Sequence, residues 1–188
     1  MPYTVTDKAD GIRKLLFIAP KGKVYLIDVN MKVQFTGVLC ANKALFNTIV
    51  DGEHVLRDKR GLFINQYLAF DLYYIGGEDI RGLPFADAGE GEGEEKESKR
   101  TQFRILKMNQ LIREASWRPV VPNATILPMK INPKTFYVSH GTSIFNNCGA
   151  ILDRQADGLF DYEIDGLIFT PANKGVASDG LGETLPPT

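Results

Sequence analysis

A lysine, an acid–glycine pair and an arginine stand together near the start of the chain, in residues 8–13 (K-A-D-G-I-R). A lysine amine can act as a nucleophile, and a turn with glycine lets the backbone approach a nucleotide closely. We therefore predict that Lys8 attacks a nucleotide phosphate and becomes covalently linked to it, with Arg13 holding ribose or phosphate. The alternative for so short a motif is a surface turn with a solvated lysine.

Two further segments offer acidic partners to this lysine. In residues 50–55 (V-D-G-E-H-V), Glu53 lies between apolar residues, which is costly unless it faces a site or a cation. In residues 162–170 (Y-E-I-D-G-L-I-F-T), Asp165 leads through a glycine into an apolar strand. The alternatives are a hairpin turn at 51–52 with Glu53 exposed, and a polar loop before the last strand. Carboxylates from different strands around a phosphate would make a magnesium or manganese site.

An aromatic–acid pair occupies the middle of residues 67–75 (Y-L-A-F-D-L-Y-Y-I). The ring of Phe70 could stack on a base, and the carboxylate of Asp71 could serve a metal or a lysine. The alternative is an aromatic residue in the core, which is the commoner fate of a strand aromatic.

The elements that must position these residues are mostly short strands. Apolar runs broken by glycine, asparagine and charged turns predict an antiparallel meander with hairpin turns at 20–23 and 29–32. Helical spacing predicts a helix over 101–115 and a second, short one over 145–152. The predicted strands are 12–19, 24–29, 33–39, 48–56, 67–75, 135–138 and 166–170.

Composition indicates one globular domain over residues 1–188, with 44% hydrophobic residues and a net charge of −1. Residues 86–99 are rich in glycine and glutamate and are predicted to form an acidic, disordered loop. Without that segment the chain is mildly basic, which suits a protein that handles phosphates.

Several classes of function find no support in the sequence. No apolar run reaches the roughly eighteen residues of a membrane span, and the start has no signal-peptide pattern, so no membrane partner is predicted. Cys40 and Cys148 lack metal spacing and are predicted to be buried free thiols in a reducing compartment. With only His54 and His140, zinc and serine–histidine catalysis have little basis. We expect a cytoplasmic protein.

The ordered set K-x-D-G-x-R, D-G-E, F-D and D-G-L-I-F resembles the covalent nucleotidyltransferase superfamily of mRNA capping enzymes and ATP-dependent polynucleotide ligases. The resemblance runs from Lys8 to about Phe169. Residues 75–81 (I-G-G-E-D-I-R) and 165–171 (D-G-L-I-F-T-P) most resemble guanylyltransferases of large nucleocytoplasmic DNA viruses. The implied fold is an α+β, ATP-grasp-like nucleotidyltransferase domain, with antiparallel sheets flanked by helices and the nucleotide in the cleft between them.

The resemblance implies an mRNA 5′-capping guanylyltransferase that passes GMP from GTP, through a lysyl-N-GMP intermediate on Lys8, to the diphosphate 5′ end of RNA. Arg13 is then expected to lower the pKa of Lys8, with Asp10 and Glu53 opposing it. The implied cofactor is Mg²⁺ or Mn²⁺, held by Glu53 and Asp165.

The resemblance also assigns roles to the residues that would bind the nucleotide. Arg13 would contact ribose or phosphate, Glu53 the ribose or the metal, and Phe70 the guanine ring. A lysine before Phe136 would reach the guanine edge, and Lys130 and Lys134 both remain open for that part. The implied nucleotide ligands are Arg13, Glu53, Phe70, Lys130 and Asp165.

One expected part of the superfamily pattern is missing. No K-x-K motif follows in residues 172–188, where Lys174 stands alone, and no OB-fold domain follows either. The expectation is a C-terminally truncated piece that binds nucleotide weakly and forms no adduct, located in a host cytoplasm or a virion if viral. Two alternatives stay open: a ligase-type adenylyltransferase using ATP, and a non-catalytic nucleotide-binding domain among other capping domains or subunits.

Overall fold

The computed structural model describes residues 2–87, 103–139 and 143–176. Two α-helices of the described part are α1 (Arg104–Glu114) and α2 (Ile144–Ala156), and a short 3₁₀ helix spans Lys43–Leu45. The strands are β1 (Tyr3–Ala9), β2 (Ile12–Ile18), β3 (Lys23–Ile27), β4 (Val33–Cys40), β5 (Thr48–Arg57), β6 (Phe63–Ile75), β7 (Glu78–Asp79), β8 (Trp117–Pro119), β9 (Lys130–Pro133), β10 (Tyr137–Val138) and β11 (Ile164–Pro171).

The strands form a large and a small sheet. The large sheet has the order β7-β6-β5-β2-β3-β4-β8, and β9 pairs with β6 in parallel. The small sheet has the order β10-β1-β11 and is antiparallel. This arrangement confirms the predicted α+β fold of antiparallel sheets flanked by helices.

One face of the large sheet packs against α1 and forms the main core. Alternate residues of each strand point to that face, because side chains along a strand alternate between its two sides. The helix begins without a side-chain cap, and its first backbone N–H groups donate to the carbonyls of Pro84 and Phe85. Representative core residues are Leu16, Ile18, Val24, Leu26, Val50, Tyr67, Leu72, Met108 and Leu111.

A second, smaller core joins the two sheets. Ala9 of β1 packs with Val55 of β5 and Leu68 of β6, and the side chains of Ile64 and Tyr162 pack against them. The other face of the large sheet therefore meets the small sheet beside residues 8–13, and the predicted site lies at that junction.

Most predicted strands are confirmed with small changes at their ends. Strands β2 to β5 match the predicted ranges within two residues, and β6 begins four residues earlier than predicted. Both hairpin turns are confirmed by backbone bonds, Ala19 N to Lys23 O at 2.9 Å and Asp28 N to Lys32 O at 3.2 Å. The helices are confirmed, although α2 is longer than the predicted 145–152.

Residues 51–52 lie inside the continuous strand β5, which confirms the predicted strand over 48–56 and excludes the alternative of a hairpin turn there. Strand β1 was not predicted, because residues 4–7 are all buried between two neighbouring strands and three of the four are polar, which hides the usual alternation. Strands β8 and β9 were also missed, and only Tyr137–Val138 of the predicted 135–138 is a strand.

Both cysteines are free; Cys40 is buried and Cys148 half-buried. Of the acidic loop predicted at 86–99, only residues 86 and 87 lie within the described part of the chain. Neither α1 nor α2 is long and apolar enough to cross a bilayer.

Candidate active site

Residues 8–13 carry the chain from the small sheet to the large one. Lys8 lies near the end of β1 and Arg13 near the start of β2, and the turn between them is fixed by a bond from Asp10 N to Glu163 O at 2.9 Å. A Cβ atom on Gly11 would lie 2.8 Å from Glu53 Cγ, so this position has no room for a side chain. The glycine therefore lets the turn pack tightly against β5.

A cavity opens where the two sheets meet. It brings together side chains from β1, β5, β6 and β11, which are far apart in sequence. Four of the predicted site residues share it, namely Lys8, the predicted nucleophile, with Glu53, Phe70 and Asp165. The lining residues are Lys8, Ala9, Asp10, Gly11, Glu53, Phe70, Lys134, Asp165 and Ile168.

Lys8 is paired with Asp165 across the mouth of this cavity. Lys8 Nζ lies 2.5 Å from Asp165 Oδ2, and both side chains are half exposed. The hydrogen bond to Asp165 is the main cause that raises the pKa of Lys8, and the charges of Asp10 and Glu53 raise it further. Since the net effect of these neighbours is a raised pKa, the free protein holds Lys8 as an ammonium ion.

Arg13 is oriented by a buried carboxylate that sequence reasoning did not select. Its Nε and Nη2 donate to Asp51 Oδ1 at 3.1 Å and Oδ2 at 2.6 Å, and Asp51 is only 1% exposed. Tyr73 donates its hydroxyl to the same carboxylate at 2.5 Å. These contacts raise the pKa of Arg13, while burial raises that of Tyr73. The Arg13 side chain is still 60% exposed and can reach a ligand.

Glu53 and Phe70 both lie close to this arginine. Glu53 is directly opposite Arg13 in the β2–β5 register, and the Phe70 ring centre is 6.0 Å from the guanidinium carbon of Arg13. Burial raises the pKa of Glu53, and the positive charge of Lys134 opposes that effect most strongly. Half-buried Phe70 offers a ring at the cavity wall.

Of the two lysines left open by the sequence, Lys134 lines the cavity and Lys130 does not. Lys134 Nζ lies 2.8 Å from Asp7 Oδ2 and also donates to the backbone carbonyl of Asp7. The two side chains are 2% and 5% exposed, and Tyr162 donates its hydroxyl to the same carboxylate at 3.1 Å. Burial lowers the pKa of Lys134. Lys130 is exposed on β9, in register with Gln66.

Asp71 is not available to a metal or to Lys8. It accepts hydrogen bonds from Arg104 Nε at 2.8 Å and Nη2 at 3.0 Å, in an ion pair whose arginine is only 2% exposed. Arg104 Nη1 also donates to the carbonyls of Leu83 and, at 3.1 Å, Lys174. The acid of the F-D pair is therefore structural, while its aromatic neighbour faces the cavity.

The carboxylates of the cavity suit a metal ion bound together with phosphate. Within the described ranges, no three His, Cys, Asp or Glu side chains are grouped closely enough to hold a metal by themselves. Mg²⁺ is usually held by one or two carboxylates together with substrate phosphates, and Glu53 and Asp165 supply such hard oxygen donors in the lining of the cavity. The donor set thus fits Mg²⁺ or Mn²⁺ brought with a nucleotide, and not an all-protein cage.

The family described as mRNA capping enzyme, catalytic domain, matches residues 1–182 of this chain. The chain belongs to the mRNA capping enzyme family. Over 180 residues it is 26% identical to an mRNA-capping enzyme of Danio rerio, covering 92% of this chain and 27% of that protein. Over 79 residues it is 35% identical to a probable mRNA-capping enzyme of Acanthamoeba polyphaga mimivirus, covering 42% of this chain and 6% of that protein.

This capping-enzyme chain therefore spans about a quarter or less of the length of those two relatives. Among solved structures it resembles the ligase domain of M. tuberculosis LigD, with a TM-score of 0.52 at 12% identity, covering 93% of this chain and 49% of that one. The likeness extends to the fold of a nucleotidyltransferase domain.

Three residues of the capping-enzyme site escaped sequence reasoning. Asp51 and Asp7 position Arg13 and Lys134, and Tyr73 holds Asp51. Of these three, only Asp51 could have been predicted from the sequence. It stands two residues before Glu53 and therefore lies on the same side of the strand. Nothing local distinguishes Asp7 from a solvent-facing acid.

Proposed function

We propose that this domain carries out the guanylyltransferase step of mRNA capping. Lys8 Nζ attacks the α-phosphorus of GTP, a P–N bond forms, the bond to the bridging oxygen of the β-phosphate breaks, and pyrophosphate leaves. A terminal oxygen of an RNA 5′-diphosphate then displaces the Lys8 nitrogen from the GMP. The observation that carries the proposal is the single cavity in which Lys8 faces Glu53, Phe70, Lys134 and Asp165.

Before it attacks, Lys8 must lose a proton. Asp165 is the carboxylate already hydrogen-bonded to Nζ, at 2.5 Å, and is the group placed to accept that proton. Arg13, held in a fixed direction by Asp51, would bind the phosphate or ribose without further ordering of its side chain. A bound Mg²⁺ or Mn²⁺, held by Glu53 and Asp165, would neutralise phosphate charge.

The choice of guanine over adenine is assigned to Lys134. Guanine presents two acceptors, O6 and N7, on the edge where adenine presents an amino donor beside N7. An ammonium group has only donors, so it pairs with the guanine edge and meets the adenine amino group donor to donor. Asp7 fixes this ammonium at the cavity wall, and the Phe70 ring supplies the stacking surface.

The substrates of the complete protein follow from the same proposal. They are GTP and the 5′-diphosphate end of an RNA, and other capping domains or subunits are candidate partners. Transfer of GMP to RNA requires that the adduct on Lys8 be open to a second substrate, and the half-exposed side chains of Lys8 and Asp165 support this.

The test is covalent labelling of the complete protein with GTP carrying a radioactive α-phosphate, in the presence of Mg²⁺, followed by denaturing electrophoresis. We expect a labelled band that is lost in Lys8→Ala and in Lys8→Arg, because arginine keeps the charge but is not a nucleophile at neutral pH. Lys14→Ala, on the adjacent strand, is the matched control and should keep the label.

Three outcomes would contradict the proposal. A band that persists in Lys8→Ala would remove Lys8 as the nucleophile. Labelling by ATP in preference to GTP would make the domain a ligase-type adenylyltransferase. An absence of labelling by both nucleotides would favour a non-catalytic nucleotide-binding domain.

A further inference from the structure

A row of aromatic side chains crosses the large sheet on the same face as the candidate site. Phe17 of β2 is directly opposite Tyr25 of β3, which is directly opposite Phe35 of β4. The rings of Tyr25 and Phe35 are 5.4 Å apart, and the ammonium of Lys23 lies 5.7 Å from the centre of the Phe35 ring. We call these four residues the aromatic platform.

The aromatic platform lies outside both hydrophobic cores. Its neighbours along the strands, such as Leu16 and Val24, are the residues that enter the main core. Phe17 and Tyr25 are half-buried and Phe35 is 38% exposed. In the described part of the chain, α1 packs chiefly on β6 and β9, and α2 on β1 and β10. The platform is thus an open face of adjacent ring surfaces.

The platform continues directly from the site. Arg13, Leu15 and Phe17 alternate along β2, so all three side chains point to one side of the sheet. At a rise of about 3.4 Å per residue, Phe17 lies about 14 Å from Arg13 along the strand. A few extended nucleotides bridge such a distance, so one strand can reach both.

The charges around the platform are mainly positive. Exposed Lys21 precedes β3 and exposed Lys32 follows it, while Lys23 belongs to the platform itself. The nearby acid Asp28 accepts hydrogen bonds from the backbone N–H groups of its own turn, residues 30 and 32. Adjacent rings with flanking cations are the features by which proteins bind single-stranded nucleic acid: bases stack on the rings and the cations contact the phosphates.

We propose that the aromatic platform binds the nucleotides of the single-stranded acceptor RNA that follow its first two, behind the 5′-diphosphate that enters the Lys8 cavity. This proposal rests on the proposed function, because a guanylyltransferase needs an RNA end beside its lysine adduct. The bases stack on Phe17, Tyr25 and Phe35, and Lys23 contacts the backbone phosphates.

The experiment measures the two half-reactions of the complete protein separately. The double variant Phe35→Ala/Lys23→Ala alters two exposed side chains, and Phe145→Ala/Lys43→Ala is the matched control away from the platform. We expect the platform variant to form the GMP adduct at the rate of the unmodified protein. Its KM for a diphosphate-ended RNA of about twenty nucleotides should rise about fivefold or more, with a shallower salt dependence of RNA binding. A diphosphate-ended dinucleotide is too short to reach the platform, so the platform variant and the unmodified protein should have the same KM for it.

The outcomes distinguish the two proposals. Normal adduct formation with unchanged KM for long RNA would overturn the platform and leave the guanylyltransferase standing. A change in oligomeric state or domain association at unchanged RNA affinity would also overturn it, because the face would then bind protein. If the unmodified protein forms no adduct, the proposed function fails. RNA affinity, measured by fluorescence anisotropy on the same variants and on Lys23→Ala alone, then decides whether the platform binds RNA.

Discussion

At the scale of the residue, the proposed nucleophile Lys8 is held in its protonated, unreactive form by the carboxylate of Asp165. Asp165 raises the pKa of Lys8 through a 2.5 Å hydrogen bond and is also the group placed to take its proton. An ammonium ion cannot attack phosphorus, so the arriving nucleotide must separate or neutralise this pair. The negative charges of Asp10 and Glu53 act in the same direction as Asp165.

The substitution Asp165→Asn should separate the two effects of this carboxylate. Since it removes the main cause that raises the pKa of Lys8, the free amine becomes available at lower pH. The acid limb of kcat/KM for GMP-adduct formation should therefore move to lower pH. Its plateau should fall, because the acceptor of the Lys8 proton is lost. The measurement is the rate of adduct formation over the pH range in which the protein stays folded.

Asp10→Asn is the control for that experiment. Asp10 acts on Lys8 only through its charge, so the acid limb should move less than in Asp165→Asn. An acid limb that stays in place, or moves to higher pH, in Asp165→Asn would show that Asp165 does not govern the protonation of Lys8.

At the scale of the element, Gly52 of β5 leaves the space that the ring of Tyr67 on β6 occupies. A Cβ atom on Gly52 would lie 2.4 Å from the ring of Tyr67 and 2.7 Å from the carbonyl oxygen of Leu68. Tyr67 is fully buried and donates its hydroxyl to the carbonyls of Lys14 at 2.9 Å and Val50 at 3.0 Å. The D-G-E motif therefore places a packing glycine between two acids of the candidate site.

Gly52→Ala should lower the free energy of unfolding by about 1–3 kcal/mol, the usual cost of overpacking a core. The displaced Tyr67 would also disturb its two hydrogen bonds to β2 and β5. Urea denaturation of the complete protein measures the change in its free energy of unfolding.

Gly149→Ala is the matched control, since Gly149 lies inside α2 with nothing near its Cβ position. Alanine there should stabilise the protein by up to about 1 kcal/mol. Equal effects of the two substitutions would refute the packing role of Gly52.

At the scale of the whole molecule, Arg104 joins three distant parts of the chain. From the start of α1 it binds Asp71 on β6, the carbonyl of Leu83 and the carbonyl of Lys174 after β11. The segment after β11 is also tied by Val176 N to Arg81 O at 2.8 Å. One buried guanidinium thus links the helix, the large sheet and the chain that leaves the small sheet.

Arg104→Leu should lower the free energy of unfolding by about 3–5 kcal/mol, because Asp71 would remain buried without its cation. Burial already raises the pKa of Asp71, and loss of Arg104 would raise it further. Denaturant unfolding gives the size of the loss, and hydrogen exchange at the Val176 amide should become faster.

The exposed pair of Arg81 with Asp79 supplies the control, with arginine Nη2 and carboxylate Oδ2 2.7 Å apart. Arg81→Leu should cost less than about 1 kcal/mol, as is usual for surface ion pairs. The double variant Asp71→Leu/Arg104→Leu should recover much of the loss, since paired apolar side chains leave no buried charge. A cost for Arg104→Leu no larger than for Arg81→Leu would contradict the linking role.

The sequence by itself was sufficient to predict the types of chemistry and the elements with regular patterns. The resemblance of the ordered motifs to the nucleotidyltransferase superfamily predicted Lys8, Glu53, Phe70 and Asp165 as one set of site residues, and the structure brings them into one cavity. Strands β2 to β5 were predictable because one face is buried, which leaves a period of two in the sequence. Strand β1 was not, because it is buried between two strands with polar residues among its buried positions.

Only the tertiary structure decided how the charged residues are paired. Lys134 rather than Lys130 lines the cavity, where it pairs with Asp7, 127 positions away in sequence. Lys8 meets Asp165 across 157 positions. No local pattern could predict pairs so far apart. Asp71 has the sequence surroundings of a site acid, yet Arg104 binds it in the interior. Local patterns indicate which side of a strand a residue faces, but the partner of a buried charge depends on how the sheets and helices pack.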